Sequence, residues 1–345
     1  MARIDDEVPD KVTIYDVAKR AGVSIATVSH TLNRPHKVSA ATRDRVLQII
    51  DDLQFVPKAT AISLARKGVG RIGVLAPFTS YPSYGARLLG VLEECATDAI
   101  DIVVFDHGSV ADSPSPLLSA LPATGRLDGL IIMGVPLDEQ IAERVAHRKL
   151  ATILIDSHHA RFSSVNIDDA SGGYAIGRHL VDKGHRRFAF VSGPQLSTAY
   201  VSPGQMRLDG FRRALAETGL GEDALLWVRV ASDVRGGSGG RGGDAVKEIL
   251  DADQPATAVF AHHDGLAAGV LAELRERGRT VPGDMAVVGY DGTELAEALN
   301  LTTVEQPFRQ TGRLGAALLR AVLADRNAPV QHIMLPAELR VGATS

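Results

Sequence analysis

Apolar residues recur at helical spacing in two short segments near the start of the chain. In residues 14–21 they share one face of a helix that Thr13 would cap. Gly22 follows where that helix would end, because glycine adopts the left-handed conformation of a C-terminal cap. Ser24 can cap a second helix over residues 25–33, in which apolar positions again recur. The pattern predicts a helix-turn-helix unit, although an ordinary helical hairpin fits the same spacing.

A third helix follows this unit. Ser39 can cap it, and apolar side chains between residues 46 and 53 can close a small three-helix core. We therefore predict a helical headpiece over residues 11–57, preceded by a disordered tail over residues 1–10. The linker of residues 58–69 contains a run that is short for a helix and would be marginally stable in isolation.

From residue 71 onward, short β-rich runs alternate with helical stretches. This alternation predicts parallel sheets covered by helices, and the number of strands favours two doubly wound sheets over one. The predicted strands are 72–76, 102–105, 130–133, 152–155, 188–191, 225–230, 258–260, 286–289 and 302–305. The predicted helices are 84–97, 138–148, 170–183, 205–218, 243–251, 264–277 and 308–324. The predicted fold class is multidomain, with an all-α helix-turn-helix headpiece and an α/β domain over residues 70–345.

Composition and charge narrow the class of protein. Hydrophobic residues make up 45% of the chain, yet no apolar run reaches the roughly 18 residues of a membrane span. Residues 1–10 are acidic, unlike a signal peptide, so we expect a cytoplasmic protein that does not contact membranes. The single cysteine, Cys95, excludes an intramolecular disulfide, and we expect it in the core.

The charge of the chain is unevenly distributed. Residues 11–67 carry ten basic and four acidic residues, a net charge of +6, whereas the whole chain carries −4. A basic N-terminal domain on an acidic body favours contact with phosphates by that domain alone.

Several short sequence motifs in the N-terminal segment match those of a known family in order and spacing. They are Thr-Ile-Tyr-Asp-Val-Ala from Thr13, Ala-Gly-Val-Ser from Ala21, Thr-Val-Ser from Thr27, Val-Ser-Ala-x-Thr-Arg from Val38, and Leu-Ala from Leu64. Together they resemble the LacI/GalR family of bacterial repressors, the lactose-repressor type, and the resemblance covers about residues 13–342. It implies that the body has two lobes, like the periplasmic binding proteins.

The resemblance also implies how the chain divides between these lobes. The first lobe would take residues 70–167 and 308–330, and the second would take residues 168–307 and 331–345. The chain would cross between the lobes at three places, near residues 165–169, 290–293 and 306–308.

Matching by register implies which side chains contact DNA. Ile25, Ala26 and His30 stand where the family contacts base edges. The first two offer only apolar contact, suited to a thymine methyl, whereas the histidine can donate to a purine N7. The positions that mostly hold phosphates are matched by Thr13, Tyr15, Ser24, Thr27, Ser29, Asn33, Ser39 and Thr42. Leu64 matches a leucine that the family inserts into the minor groove, and Ala61 matches a small residue beside it.

A small effector is expected in the cleft between the lobes, because ligands of such sheets bind beyond the carboxyl ends of the strands. The family positions that line this cleft are matched by Asp156, Arg207, His263, Asp264, Asp291, Gln306 and Phe308. Carboxylates with an arginine and an aromatic face suit the hydroxyls and ring of a sugar. A lobe-bridging ion pair or a hinge support is the alternative for each of them. His263 stands where the family commonly has asparagine, and residues 196–205 form a longer segment than the family pattern.

The glycine-rich segment 235–243 contains two patterns that are associated with enzymes. Gly237, Gly239 and Gly242 satisfy G-x-G-x-x-G, and Ser238 lies within G-x-S-x-G. A dinucleotide fingerprint should begin directly at the end of a strand, and a nucleophile elbow needs a sharp, ordered turn. A segment this rich in glycine matches such patterns by chance. The alternative stays open that the chain is a small-molecule-binding α/β protein or a nucleotide-dependent enzyme that uses residues 236–243.

These observations predict a sequence-specific transcriptional repressor rather than an enzyme. A homodimer would place two headpieces on a pseudo-palindromic operator, and a small effector, expected to be a carbohydrate, would control the affinity for DNA. The histidine pairs 158–159 and 262–263 have no supporting ligands at metal-site spacing, so we predict neither a metal nor a cofactor.

Overall fold

The structure is a computed structural model that describes residues 12–55, 70–98, 100–107, 115–193, 202–230 and 242–345. Some of the predictions fall outside the described residues. These are the tail over 1–10, the linker over 58–69 with Ala61 and Leu64, residues 196–201, and residues 235–241 of the glycine-rich segment.

The headpiece contains three helices, α1 (Ile14–Ala21), α2 (Ile25–Asn33) and α3 (Ala40–Asp52). Polar caps begin the second and third of these helices. The Ser24 hydroxyl accepts from the Thr27 amide at 3.1 Å, and the Ser39 hydroxyl accepts from the Thr42 amide at 3.4 Å. Gly22 ends α1 at φ 65°, which is the left-handed conformation that the sequence predicts there. The small core consists mainly of Val17, Ala18, Val28, Leu32, Val46, Leu47, Ile50 and Phe55.

The first lobe is built on a six-stranded sheet with all neighbouring strands parallel. Its strands are β1 (Arg71–Ala76), β2 (Asp101–Asp106), β3 (Gly129–Met133), β4 (Ala151–Ile155), β5 (Ser164–Ile167) and β11 (His332–Leu335), in the order β11-β5-β4-β3-β1-β2. Its helices are α4 (Ser83–Glu94), α5 (Pro116–Thr124), α6 (Glu139–His147) and α12 (Phe308–Ala324). Helices α4 and α12 cover one face of the sheet, and helices α5 and α6 cover the other.

The second lobe repeats this layered plan with a four-stranded parallel sheet. Its strands are β6 (Phe188–Ser192), β7 (Leu225–Arg229), β8 (Ala258–Ala261) and β9 (Ala286–Val288), in the order β7-β6-β8-β9. The helices on one face are α7 (Asp169–Asp182) and α8 (Pro203–Ala216), and those on the other are α9 (Gly242–Asp251) and α10 (Asp264–Glu276). A short helix α11 (Glu294–Ala298) and an antiparallel pair, β10 (Thr303–Glu305) with β12 (Glu338–Arg340), complete the lobe. The predicted fold class is confirmed.

The crossings between the lobes differ from the prediction at two places. Strand β11 pairs with β5, so residues 332–335 belong to the sheet of the first lobe, and the chain crosses back only after residue 335. Residues 290–293 do not cross, because Asp291 bridges to Glu305 within the second lobe. The predicted crossing near 290–293 and the assignment of residues 331–345 entirely to the second lobe are therefore wrong. A four-residue strand does not itself specify which open sheet edge it joins.

The sequence also missed helix α5 and strand β5. Helix α5 contains Pro122, and its residues from Leu118 to Thr124 are all buried, so no amphipathic period marks it. Strand β5 is the short run Ser-Val-Asn-Ile, in which polar residues interrupt the apolar pattern. Cys95 is buried, as predicted. Within the described part of the chain, no helix combines the length and the apolar character needed to cross a bilayer.

Candidate functional sites

Helix α2 has one buried side and one exposed side. Its inner side is held by Val28, Thr31 and Leu32, which are buried in the headpiece. On the outer side, Ile25 is 39% exposed, and Ala26 and His30 are exposed as well. We call Ile25, Ala26 and His30 the reading edge. This orientation follows from the helical period, which turns alternate sides of a short helix toward the core and toward solvent.

The side chains predicted to hold phosphates are exposed or partly exposed on the same headpiece. Of the eleven predicted DNA-contact residues that the structure describes, none is buried. Several also stabilise the headpiece. Ser24 and Ser39 cap helices, and the Asn33 amide donates to the Ser29 carbonyl at 2.9 Å. These residues can stabilise the headpiece and still present a hydroxyl or amide group at its surface.

The first lobe contributes a buried ion pair to the cleft. Arg87 on helix α4 is only 2% exposed, and its guanidinium contacts the carboxylate of Asp156, which follows strand β4. The guanidinium also lies over two aromatic rings, 4.2 Å from the centroid of Phe308 and 5.1 Å from that of Tyr84. Such stacking is favourable because the negative ring face attracts the cation.

The second lobe contributes a larger ionic cluster, centred on Arg207 of helix α8. Its Nε donates to Asp169 at 2.7 Å, and an Nη lies 3.4 Å from Asp291. The guanidinium stacks 3.8 Å above the ring of Tyr290. Gln306 donates to Asp291 at 2.7 Å. The cluster therefore joins the start of helix α7, the end of strand β9 and the crossing before helix α12.

The charges of the two lobes lie close enough to influence one another. Burial raises the pKa of Asp156, and the neighbouring charges that act on it include Arg87 of its own lobe and Asp169 and Arg207 of the other. Burial also raises the pKa of Asp291 to about 7, against the opposing effect of Arg207. Burial alone would lower the pKa of Arg207, but the carboxylates of Asp169 and Asp291 outweigh it and raise that pKa. The arginine stays charged.

Two features of this cleft are typical of ligand sites. Asp156 and Asp291 adopt positive φ values of 52° and 114°, in the left-handed region that is costly for residues other than glycine and that clusters at functional sites. Several buried polar atoms also have no hydrogen-bond partner among the described residues. Beside the two ionic clusters these are Nε and Nη1 of Arg87 and Nδ1 of His262. Buried polar groups are normally satisfied, so these atoms indicate a place where a polar ligand could bind.

Two of the predicted cleft residues have other partners. Asp264 is 1% exposed, and its carboxylate accepts from the Thr303 hydroxyl at 2.6 Å and from the Thr293 amide at 2.8 Å. It therefore supports the strand ends behind the cleft. His263 caps helix α10 by accepting from the Leu266 amide at 3.1 Å, and burial, followed by the charge of Arg207, lowers the pKa of its imidazole to about 3. The remaining five, Asp156, Arg207, Asp291, Gln306 and Phe308, belong to the two ionic clusters described above, and their contact with an effector stays a prediction.

Comparison with known proteins identifies the family of the chain. Residues 13–58 match the bacterial regulatory proteins of the lacI family, and residues 178–345 match the periplasmic binding protein-like domain. The HTH-type transcriptional repressor PurR of Vibrio cholerae serotype O1 (strain M66-2) is 32% identical over 321 residues, which cover 91% of this chain and 92% of that protein. The chain belongs to the LacI family.

Solved structures of LacI-family proteins have the same overall fold. A regulator from Enterococcus faecium with bound ribose has a TM-score of 0.70 at 27% identity, and the match covers 80% of this chain and 98% of that one. The lac repressor dimer bound to operator and the anti-inducer ONPF has a TM-score of 0.67 at 26% identity, covering 97% and 99%. The predicted family and two-part architecture are therefore confirmed.

Sequence reasoning missed three side chains of these clusters in this LacI-family protein, namely Tyr84, Arg87 and Asp169. One of them had a usable signal. The buried positions of helix α4 are Tyr84, Arg87, Gly90 and Val91, so an arginine falls within the inward-facing stripe of an otherwise apolar face. An arginine there must be paired, because a buried unpaired charge is too costly. Tyr84 and Asp169 lie at the starts of helices α4 and α7 without a distinctive pattern.

The titration of Asp291 predicts how stability depends on pH. Its folded pKa, about 7, lies above the ordinary value near 4, so its contribution to stability is complete below about pH 4 and is lost as the pH rises through about 7. The pKa of Asp156 is raised by burial and acts in the same direction. We expect Asp291→Asn to flatten the decline in the free energy of unfolding between pH 5 and pH 8. Urea denaturation at each pH measures this.

The control for this series is Asp253→Asn, which changes an exposed aspartate of the same lobe. It should leave the pH profile as in the wild type. An unchanged profile in Asp291→Asn itself would contradict the assignment of the titration to this carboxyl group.

Proposed function

We propose that this protein is a transcriptional repressor, and not an enzyme, that binds a pseudo-palindromic operator as a homodimer. A small polyhydroxylated effector, of the carbohydrate class, binds in the cleft and controls the affinity for DNA. The observation that carries the proposal is the exposed reading edge on a capped second helix. The relatives support it, since PurR is named a repressor and the lac repressor structure is a dimer on its operator.

The cleft supports the effector half of the proposal. It combines unsatisfied donors on Arg87 with the carboxylates of Asp156 and Asp291 and the ring face of Phe308. Hydroxyl groups both donate and accept hydrogen bonds, so a polyol satisfies cationic and anionic partners together. The Enterococcus faecium regulator binds ribose, which belongs to this chemical class.

Coupling between the effector cleft and the DNA-binding headpiece follows from the way the chain connects the headpiece and the two lobes. An effector that contacts both lobes favours one relative arrangement of them, and the headpiece precedes the first lobe in the chain. In the proposal, this arrangement sets the spacing of the two headpieces through the linker of residues 58–69, with Leu64 inserted at the operator centre. By linkage, DNA and effector must change each other's affinity by the same factor.

The DNA half is tested by a band-shift assay with the DNA upstream of the protein's own gene. We expect His30→Ala to weaken binding by about 5- to 150-fold, because a specific base contact is worth about 1–3 kcal/mol. His158→Ala, which removes an exposed histidine of the first lobe, is the matched control and should bind normally. Unaltered binding by both His30→Ala and Leu64→Ala would count against the DNA assignment.

The effector half is tested by a thermal-shift screen of sugars and nucleosides, followed by band shifts with each compound that raises the melting temperature. A compound that stabilises the protein through the cleft should also change operator affinity. Stabilising compounds that leave operator affinity unchanged would contradict the proposed coupling.

A further inference from the structure

The headpiece packs directly on the first lobe through helix α5. Leu118 and Leu121 on this helix face the sheet of the lobe. Ala123, only 1% exposed, joins the apolar core of the headpiece beside residues such as Leu32 and Phe55. Helix α5 is therefore a shared layer between the two domains, which explains why its residues from Leu118 to Thr124 are all buried.

A charged clamp strengthens this contact. Both carboxylate oxygens of Asp51, on helix α3, accept from arginines of the first lobe, one from Nε of Arg144 and one from Nε of Arg148, each at 2.9 Å. Arg148 also donates to the carbonyl of Phe55 at 3.2 Å. The Arg144 side chain is only 5% exposed, so this is a desolvated pair and not a flexible surface contact. The clamp gives the headpiece one orientation on the lobe.

In that orientation, an arginine of the lobe lies at the end of helix α2. Arg126 follows Gly125, which ends helix α5 in the left-handed conformation, and its Nη2 donates to the side-chain oxygen of Asn33 at 2.6 Å. The Asn33 amide is in turn 3.2 Å from the Ser29 hydroxyl, one helical turn earlier. Ile25, Ser29 and Asn33 are spaced four residues apart and form one ridge along helix α2. Arg126 extends this ridge.

The guanidinium of Arg126 is available to a further ligand. The residue is exposed, and among the described residues its side chain has one hydrogen-bond acceptor, Asn33, and no carboxylate partner. An arginine has five N–H donors, so most of them have no acceptor among the described residues. Arginine recognises phosphate through paired, charge-assisted hydrogen bonds.

We propose that Arg126 binds a backbone phosphate of the operator, so that the effector lobe itself contributes to the DNA interface. The inference rests on the proposed DNA-binding function, and it adds a contact that lies outside the headpiece. Because Arg126 belongs to the first lobe, a change in how the headpiece sits on the lobe alters this contact directly. Regulation then acts through the DNA interface as well as through the linker.

The test is the salt dependence of operator binding by the full-length protein, measured by fluorescence anisotropy with the duplex that shifts in the band-shift assay. Each phosphate contact contributes about 0.9 to the slope of log affinity against log salt. Because the proposed homodimer carries two copies of Arg126, Arg126→Gln removes two contacts and should reduce the slope by about 1.8, so that its loss of affinity between 50 and 200 mM salt is about twelve-fold smaller than in the wild type. Arg126→Lys keeps the charge and should retain the slope.

Arg275→Gln is the matched control, because it removes the same charge from an exposed position of the second lobe. Its slope should equal that of the wild type. Equal slopes for Arg126→Gln and the wild type would overturn the phosphate contact while leaving the proposed function intact. A wild-type protein that binds no DNA at any salt concentration would overturn both, so the two failures are distinguishable.

Discussion

Replacing Arg207 with methionine is expected to lower the free energy of unfolding by about 3–5 kcal/mol, the usual result of removing one partner from a buried ion pair. Arg207 is buried and holds both Asp169 and Asp291. Methionine preserves much of the packing on Tyr290 but leaves two buried carboxylates without a cation. Chemical denaturation near pH 8, followed by circular dichroism, measures the loss.

Arg212→Met is the control for this variant. It changes a position five residues further along the same helix, where the arginine is partly exposed and pairs with the exposed Glu222. Such pairs are worth about 0–1 kcal/mol, so little change is expected. The loss in Arg207→Met should also shrink toward pH 5, because protonation of Asp291 removes part of the uncompensated charge. A loss below about 1 kcal/mol at pH 8 would show that the cluster is solvated.

The second large effect concerns the ion pair of the first lobe. Arg87→Met is expected to cost about 3–5 kcal/mol, because the buried carboxylate of Asp156 loses the compensating charge of the guanidinium. Asp156→Asn removes that charge, so the double variant should be more stable than Arg87→Met alone. Denaturant unfolding of the wild type, both single variants and the double variant measures the coupling energy, expected between about 1 and 3 kcal/mol.

Arg320→Met provides the matched control for Arg87→Met. Arg320 lies on helix α12 of the same lobe, and its side chain is 46% exposed while pairing with Glu94. It should change stability by less than about 0.5 kcal/mol, as surface substitutions usually do. If the two single effects of Arg87→Met and Asp156→Asn simply add in the double variant, the pair does not act as a unit.

The headpiece shows which structural features local sequence signals can predict. Its caps at Ser24 and Ser39 and the turn at Gly22 act between residues at most a few positions apart, so spacing alone predicted the three helices. The strands of the two lobes were predicted for a similar reason. Buried parallel strands are short, continuous apolar runs, and their identity does not depend on which strand lies beside them.

The cleft was predicted in part. Asp156 and Asp291 follow the ends of apolar strands, and the carboxyl ends of parallel strands are where ligands bind. Arg87 was missed because its partner Asp156 lies 69 residues away, and the inward-facing position of Arg87 on its helix indicates a pair without identifying the partner. Asp264 likewise follows the end of a strand. Its carboxylate accepts hydrogen bonds from Thr293 and Thr303, which only the folded chain brings near it.

The sequence by itself determined the helices of the headpiece, most strands of both sheets and the family, because these depend on local period, caps and strings in register. Only the tertiary structure decided which sheet receives β11 and how the headpiece sits on the first lobe. The contacts behind these outcomes join residues that are far apart in the chain, such as Asp51 with Arg144 and Asn33 with Arg126. Their energies come from burial and charge pairing between distant segments, and no local pattern records them.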